Sequence, residues 1–141
     1  MENATIDTNS ELAEQMIAEN EAYRESIHAA IRQEYIDGAK TVSYNNLIRE
    51  PYNYEGLVIQ VKIKVSQVMS GGVLTESGYR GYESGADNEW YITYEIPDGV
   101  PRIIDNDTVT FYGTYAGITT MTRGLTGTKV EVPRLIAVYH K

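Results

Sequence analysis

Tyrosine is the residue whose number stands out, with twelve copies, ten of them after residue 40. Aromatic rings that alternate with cations on one surface can stack nucleotide bases or sugars. The strands predicted below bring one such set to a common face: Lys62, Lys64, Tyr79, Tyr82 and Tyr91. We predict these five residues as a ligand-binding face. The alternative is that the tyrosines cover half-buried strand surfaces and form cross-strand pairs.

Residue types that support catalysis or metal binding are sparse. There is no cysteine, which excludes disulfides, thiolate metal sites and cysteine nucleophiles. The two histidines, His28 and His140, are too far apart in the chain to indicate a local pair. Asp105 and Asp107 lack the spacing of an EF-hand and suit an ordinary turn. We therefore predict a protein that is not an enzyme, with no catalytic residue, metal or cofactor.

The net charge of −8 is unevenly distributed along the chain. Residues 1–40 hold nine acids and three bases, whereas residues 41–141 hold eleven acids and nine bases. A general nucleic-acid-binding domain carries a basic stripe, because neutralising phosphates supplies most of its affinity. The near-neutral second part shows no obvious stripe, so a protein partner is favoured over nucleic acid.

The acidic first part has the pattern of an amphipathic helix over residues 10–37. Ser10 suits the N-cap, and Gly38 is a natural stop. Spacings of three, four and seven residues align one apolar stripe: Leu12, Met16, Tyr23, Ile27, Ala30, Ile31 and Tyr35. This stripe can pack on the rest of the chain, on a second copy or on a partner. Homo-oligomerisation through the helix is one expectation.

Beyond residue 40 the chain reads as one β domain over residues 41–141, which follows an appendage over residues 1–40. A short helix is expected over residues 42–50, capped by Ser43 and ended by Pro51. Period-two alternation and turn residues then predict five strands: residues 57–69, 73–82, 89–96, 108–115 and 130–139. Between them we expect a turn at residues 70–72, a loop over residues 83–88, a helical turn within residues 100–106 and a hairpin loop or ribbon over residues 116–129.

The apolar faces of these strands predict the core. In the first strand they are Leu57, Ile59, Val61, Ile63 and Val65, and in the last they are Val130, Val132, Ile136 and Val138. Trp90, Tyr94 and Tyr115 share the apolar registers of their own strands. A long first strand and a short link between strands three and four favour a five-stranded oligonucleotide/oligosaccharide-binding (OB) barrel, with a small SH3-like barrel as the main rival.

Several segments are similar to the tRNA-anti-like family of OB-fold domains. The pattern Tyr-x-x-Leu-x-x-x-Pro-x-x-Tyr-x-Gly spans Tyr44, Leu47, Pro51, Tyr54 and Gly56. Residues 61–68 resemble the strand that follows it. Residues 104–113 resemble the acidic turn that enters a Gly-ended strand, and residues 132–137 resemble the closing strand.

The resemblance implies a fold and not a reaction. It covers about residues 41–141, and such domains occur in uncharacterised surface or secreted proteins of Gram-positive bacteria and their phages. It thus implies a non-catalytic binding module outside the cytoplasm, contacting a protein or a component of the cell envelope. Binding of single-stranded nucleic acid or oligosaccharide by the tyrosine face is the alternative. No apolar run approaches the roughly 18 residues of a membrane span, so we expect no insertion, and residues 1–5 do not read as a signal peptide.

Overall fold

The structure is a computed structural model. It describes the backbone of residues 2–71, 77–85, 87–123 and 126–141, and the side chains of these residues from residue 11 onward except residue 123. The chain forms two compact units, Met1–Asp37 and Gly38–Lys141.

The first unit is formed by a single helix, α1, at Glu2–Gly38. The helix begins well before the predicted start, so Ser10 lies inside it and is not its N-cap. Gly38 is the last helical residue, as the sequence indicates. Large apolar side chains remain exposed along α1: Leu12, Met16, Ile17, Tyr23, Ile27 and Ile31. The predicted apolar stripe is therefore accessible over most of its length.

The second unit begins with backbone bonds to the first strand and continues into two short helices. Lys40 pairs with Ile59 in a parallel bridge. The helices are α2, Tyr44–Arg49, and α3, Pro51–Tyr54. Ser43 is at the N-cap position but forms no side-chain capping bond. Pro51 starts α3 instead of only ending α2, because the first helical position needs no N–H donor.

Five strands follow and close into a barrel. They are β1 Val58–Met69, β2 Gly78–Ser84, β3 Asp87–Thr93, β4 Thr108–Arg123 and β5 Thr128–His140. Their order around the barrel is β1-β2-β3-β5-β4, and β4 closes onto β1. The β3–β5 pair is parallel, and every other pair is antiparallel. The prediction of a mainly β, five-stranded unit preceded by a helix is confirmed.

Two predicted connections were wrong. The loop predicted over residues 83–88 was wrong, because β2 continues to Ser84, β3 begins at Asp87 and these two residues pair. Residues 100–106 form no helical turn; a turn at Asn106, whose φ is 73°, leads into β4 instead. Of the hairpin loop or ribbon expected over residues 116–129, the ribbon is confirmed, because residues 116–123 continue β4 and pair with β5. The predicted turn at residues 70–72 and the predicted start of the second strand at residue 73 fall partly on residues 72–76, which lie outside the described residues.

The interior of the barrel is filled by the apolar register of each strand. Ile59, Val61, Ile63 and Val65 are buried as predicted, and Leu57 packs against them half-buried. Trp90, Ile92, Tyr94, Phe111 and Tyr115 complete the centre. The large aromatic rings let a small barrel fill its interior with few side chains.

The predicted core register of β5 was wrong at its C-terminal half. Leu135 is fully buried, whereas Ile136 and Val138 are 44% and 47% exposed. Both registers of β5 contain apolar residues, so alternation alone does not identify the inner face. Pairing decides it, because Tyr115, itself in the core, lies opposite Leu135.

The hairpin of β4 and β5 extends beyond the other strands. β1 pairs with β4 only as far as Thr114, whereas β5 pairs with β4 as far as Arg123. A bulge with Gly117 at φ 84° separates the two parts of β4. We call residues 118–123 and 128–133 the β4–β5 arm.

Candidate functional site

The five residues of the predicted ligand-binding face are not all on one surface. Tyr79 is buried in the core, where its ring packs on those of Tyr94 and Phe111. Tyr82 and Tyr91 are half-buried on the outer side of the barrel. Lys64 lies directly opposite Tyr82, so that these two residues are neighbours.

The remaining lysine also lies opposite a residue of β4. Lys62 is opposite Thr110 in the β1–β4 pair. It also lines a cavity of about 310 Å³ with Glu83 and Gln60. The structure therefore brings Lys64 to Tyr82, places Tyr91 on another cross-strand row and removes Tyr79 from the face.

Tyr91 belongs to a row of polar side chains that crosses four strands. Gln67 of β1 is opposite Arg80 of β2, Arg80 is opposite Tyr91 of β3, and Tyr91 is opposite Arg134 of β5. Residues directly opposite each other share a face of the sheet. We call Gln67, Arg80, Tyr91 and Arg134 the outer row.

An internal ion pair neutralises the centre of the outer row. Arg80 Nη2 lies 2.6 Å and Nε 3.2 Å from Oε1 of Glu89, and Nη1 donates to Gln67 Oε1 at 3.3 Å. Glu89 is only 4% exposed. A carboxylate at that depth needs a charged or hydrogen-bonding partner, which Arg80 supplies. Arg80 therefore has a structural role: it stabilises the buried Glu89 carboxylate and holds Gln67 of the outer row.

The end of the outer row carries a second arginine. The guanidinium carbon of Arg134 lies 5.8 Å from the centre of the Tyr91 ring, and its Nε donates to Thr93 Oγ1 at 3.0 Å. Such a cation–π contact contributes about 0.5–1 kcal/mol when exposed. The two contacts hold a positive charge at the rim of the barrel.

Arg134 and Tyr91 form one wall of a shallow polar groove. Thr119, Thr120, Met121 and Thr122 of the β4–β5 arm complete its lining, and its volume is about 300 Å³. Hydroxyl groups, a guanidinium and a phenol supply both donors and acceptors. We call this feature the threonine groove, and it is the candidate functional site.

A second polar contact joins Trp90, in the middle of β3, to Glu83 near the end of β2. The indole N–H of Trp90 donates to Glu83 Oε1 at 2.5 Å. Burial raises the pKa of Glu83, and the hydrogen bond from Trp90 opposes this by lowering it. The fully buried indole thus has its donor satisfied.

A larger cavity of about 390 Å³ lies beside the end of β1. Glu95 and Arg102 contribute opposite charges, and Tyr79 contributes its phenol. Its wall also includes Gly71 and Ser77, the two residues that flank residues 72–76, which lie outside the description. The lining of the threonine groove, by contrast, does not border these residues, so the groove is taken as the candidate site.

Metal-binding and membrane-spanning features were also sought in the part of the chain that the structure describes. Within it, no group of three or more His, Asp or Glu side chains is placed to hold a metal ion. The same residues include no helix with the length and apolarity needed to cross a bilayer.

Sequence reasoning missed the two arginines that organise the site. Arg80 and Arg134 each occupy one position in an otherwise mixed strand, and no local pattern marks them. The available signal was weak. Arg80 follows the buried Tyr79 and Arg134 precedes the buried Leu135, so strand alternation places both arginines on the outer side. Recognising the outer row requires the cross-strand partners, which the linear pattern does not contain.

Comparison with known proteins identified no relative of the chain. No family model matches the chain, and neither a curated protein nor a solved structure matches it.

Proposed function

We propose that the second unit is an OB-type barrel acting as a non-catalytic binding module. The strand order β1-β2-β3-β5-β4, with a parallel β3–β5 pair, supports this, because OB folds are five-stranded Greek-key barrels. OB folds bind along the outer face of strands 2 and 3 and the adjoining loops. The outer row and the threonine groove occupy the corresponding surface.

The proposed ligand class is a polypeptide, and the observation that carries it is the Arg80–Glu89 ion pair. A single-strand binder needs cations for phosphates and exposed rings for bases. Here the central cation is neutralised by Glu89 at 2.6 Å, and Tyr79 is in the core. A mixed polar groove beside a strand edge suits peptide groups better. The resemblance to the tRNA-anti-like family supports a partner at the cell envelope.

Single-stranded nucleic acid or oligosaccharide is the second candidate. Lys64 beside Tyr82, and Arg134 on the Tyr91 ring, favour it, because each pair combines a cation with an aromatic ring. It predicts affinity that falls steeply with salt and depends on Tyr91.

The test is to titrate the full chain with a labelled mixed-sequence 12-nucleotide DNA, and to select a displayed library of random 12-residue peptides against it. We expect enriched peptides whose affinity falls at least tenfold in Arg134→Gln and little in the control Arg102→Gln, an exposed arginine outside the groove. No such peptide, or DNA binding that is salt-sensitive and lost in Tyr91→Ala, would contradict the proposed ligand class.

A further inference from the structure

The exposed face of helix α1 has the residue spacing of a coiled coil. Six positions follow one another at alternating intervals of three and four residues: Ala13, Met16, Asn20, Tyr23, Ile27 and Ala30. All but Asn20 are apolar, and an average interval of 3.5 residues is the period with which helices wind around each other. We call these six positions the seam.

The seam is uncovered and is widened by apolar neighbours. All six of its residues are exposed, and so are Leu12, Ile17 and Ile31 beside it. Within its own unit α1 has no other described element to pack on, although helices gain most of their stability from packing an apolar face. The seam ends after Ala30, because the next positions at the same intervals are Glu34 and Asp37.

Two residues of opposite charge flank the seam on its two sides. Glu19 and Arg24 are five residues apart, which places them about 140° apart around the axis, so they do not meet within one helix. Among the described residues, neither forms an ion pair or a side-chain hydrogen bond. In two parallel helices in register, however, Glu19 of each copy faces Arg24 of the other.

Asn20 gives the seam a means of fixing its register. Its side-chain amide contains both donors and an acceptor, so two facing copies hydrogen-bond to each other. In a parallel pair they face each other only in register, since a shift to another seam position places each amide against an apolar residue. A single asparagine at such a position specifies register and strand number while lowering stability.

The opposite orientation brings like charges together. In an antiparallel pair each flank of the seam faces the same flank of the other helix, so arginine 24 lies near its own copy and glutamate 19 near its own. The other acids of this region lie on the far face of α1: Glu11, Glu14, Glu21 and Glu25. In a pair with axes about 9 Å apart, charges on the two far faces are about 20 Å apart, well beyond the Debye length of about 8 Å. The flanking residues therefore decide the orientation.

We propose that α1 forms a parallel, in-register, two-stranded coiled coil with a second copy of this chain over residues 12–31. Glu19 of each copy pairs with Arg24 of the other, and the two Asn20 amides pair near the middle of the seam. The occupant is a second copy because an identical helix supplies the complement of each polar residue in and beside the seam. This inference adds orientation and register to the expected pairing of α1 and is independent of the proposed function, which concerns the second unit.

Disulfide trapping in the full chain tests the orientation, and no native thiol interferes because the chain has no cysteine. Met16→Cys should form an interchain disulfide in a glutathione redox buffer, since facing seam positions lie within the Cα separation that a disulfide allows. Gln15→Cys, the adjacent position outside the seam, is the matched control and should form about tenfold less.

An antiparallel pair gives a different pattern of disulfides. If the seam overlays itself in that orientation, the two copies of residue 16 are about 16 Å apart along the axis and do not bridge, whereas residue 16 faces residue 27. Heterodisulfides in a mixture of Met16→Cys and Ile27→Cys, with none from Met16→Cys alone, would overturn the parallel arrangement. A chain that forms no interchain disulfide from Met16→Cys would overturn the pairing itself.

Charge reversal tests the flanking residues, with the dimer measured by sedimentation equilibrium. Glu19→Arg replaces two attractive contacts with two repulsive ones, so the dimer should weaken about tenfold even though the net negative charge falls. Glu14→Arg makes the same charge change on the far face and should not weaken it. Combining Glu19→Arg with Arg24→Glu restores opposite charges at both contacts and should recover the affinity of the wild type.

Two further results bear on the number of strands and on the flanking pair. Asn20→Leu should tighten association and yield species larger than a dimer, because the residue that specifies two strands is lost. A wild-type trimer or tetramer would contradict the two-stranded arrangement, and an unchanged dimer in Glu19→Arg would contradict the flanking pair. None of these substitutions touches the outer row or the threonine groove, so their failure leaves the proposed function standing.

Discussion

The carboxylate of Glu83 accepts the indole N–H of Trp90, the single tryptophan of the chain, although Glu83 itself is an exposed residue. Burial raises the pKa of this carboxyl above its ordinary value of 4.5, with the hydrogen bond opposing the shift. A raised pKa means that the folded state binds the proton more tightly than the unfolded state. The contribution of Glu83 to stability is therefore greatest at low pH and falls as the pH rises through the folded pKa.

Trp90 fluorescence should report this titration directly. We expect the emission of the folded chain to change with pH with a midpoint above 4.5, because ionisation places a charge beside the indole. Glu83→Gln should abolish that transition. Asp87→Asn, at an exposed position at the start of β3, is the control and should retain it. A midpoint at or below 4.5 would contradict the desolvation argument.

His140 gives the opposite pH dependence. Its Nδ1 lies 2.7 Å from the Tyr94 hydroxyl, and burial lowers the pKa of the imidazole. A lowered pKa makes the stabilising contribution complete above the ordinary value of 6.5 and progressively lost as the pH falls through the folded pKa. We expect the urea midpoint to decline below pH 6.5, and His140→Gln to flatten that decline.

His28 supplies the matched comparison for this prediction. It is exposed on α1, in the other unit, so His28→Gln should leave the decline unchanged. Equal pH profiles for the wild type and His140→Gln would contradict the role assigned to His140.

Helix α2 covers one end of the barrel core. Leu47 is fully buried, and its backbone carbonyl accepts the hydroxyl of Tyr115 at 3.1 Å. Burial first, then the nearby Glu55 and Tyr44, raises the pKa of Tyr115 to about 12. The phenol therefore remains a neutral donor to α2 throughout the physiological range.

Truncating Leu47 tests this covering role. Leu47→Ala should destabilise the chain by about 2–5 kcal/mol, since a buried leucine leaves a cavity. Its neighbour Ile48 is 38% exposed, so Ile48→Ala should cost clearly less. Urea denaturation of both variants measures the difference. Equal losses would show that α2 does not seal the barrel.

The strands show a comparable division between covered and open parts. β1 pairs with β4 over its first half and with β2 over its second, whereas β4 pairs on both sides only as far as Thr114. The same strand thus closes the barrel with its first half and offers an open edge with its second. The bulge at Gly117 separates the two roles.

At the scale of the whole molecule, the two units differ in net charge and in how far their apolar side chains are buried. The helical unit holds most of the negative charge, and its large apolar side chains from Leu12 to Ile31 are exposed. An isolated helix gains most of its stability from packing an apolar face. The expectation that α1 pairs with a second copy stays a prediction.

Self-association through α1 is testable with two adjacent positions. We expect sedimentation equilibrium to show a dimer that strengthens with salt, because salt screens the like charges of two acidic helices. Met16→Glu places a charge in the apolar stripe and should yield monomers. Gln15→Glu makes the same charge change outside the stripe and should retain the dimer. A wild-type monomer at all concentrations would contradict the prediction.

Much of the fold was readable from local patterns. Alternation identified the inner face of β1 and the buried positions Trp90, Tyr94 and Tyr115, because the period of two is a property of the strand alone. Glycine at residue 38 marked the end of α1. Where a strand is apolar on both registers, as in β5, alternation failed, and Ile136 was assigned to the core although it is exposed.

The tertiary structure decided which side chains come together at the candidate site. Tyr91 was identified from its residue type, but its partner Arg134 lies on a strand that joins β3 only when the barrel closes. The Arg80–Glu89 pair and the open edge at Thr120 likewise depend on which strands become neighbours and where their pairing stops. The sequence by itself determined the inner face of β1 and the buried positions Trp90, Tyr94 and Tyr115, since alternation is unambiguous there. Only the closed barrel decided which side chains meet across strands, since register between distant segments is set by the packing of the whole core.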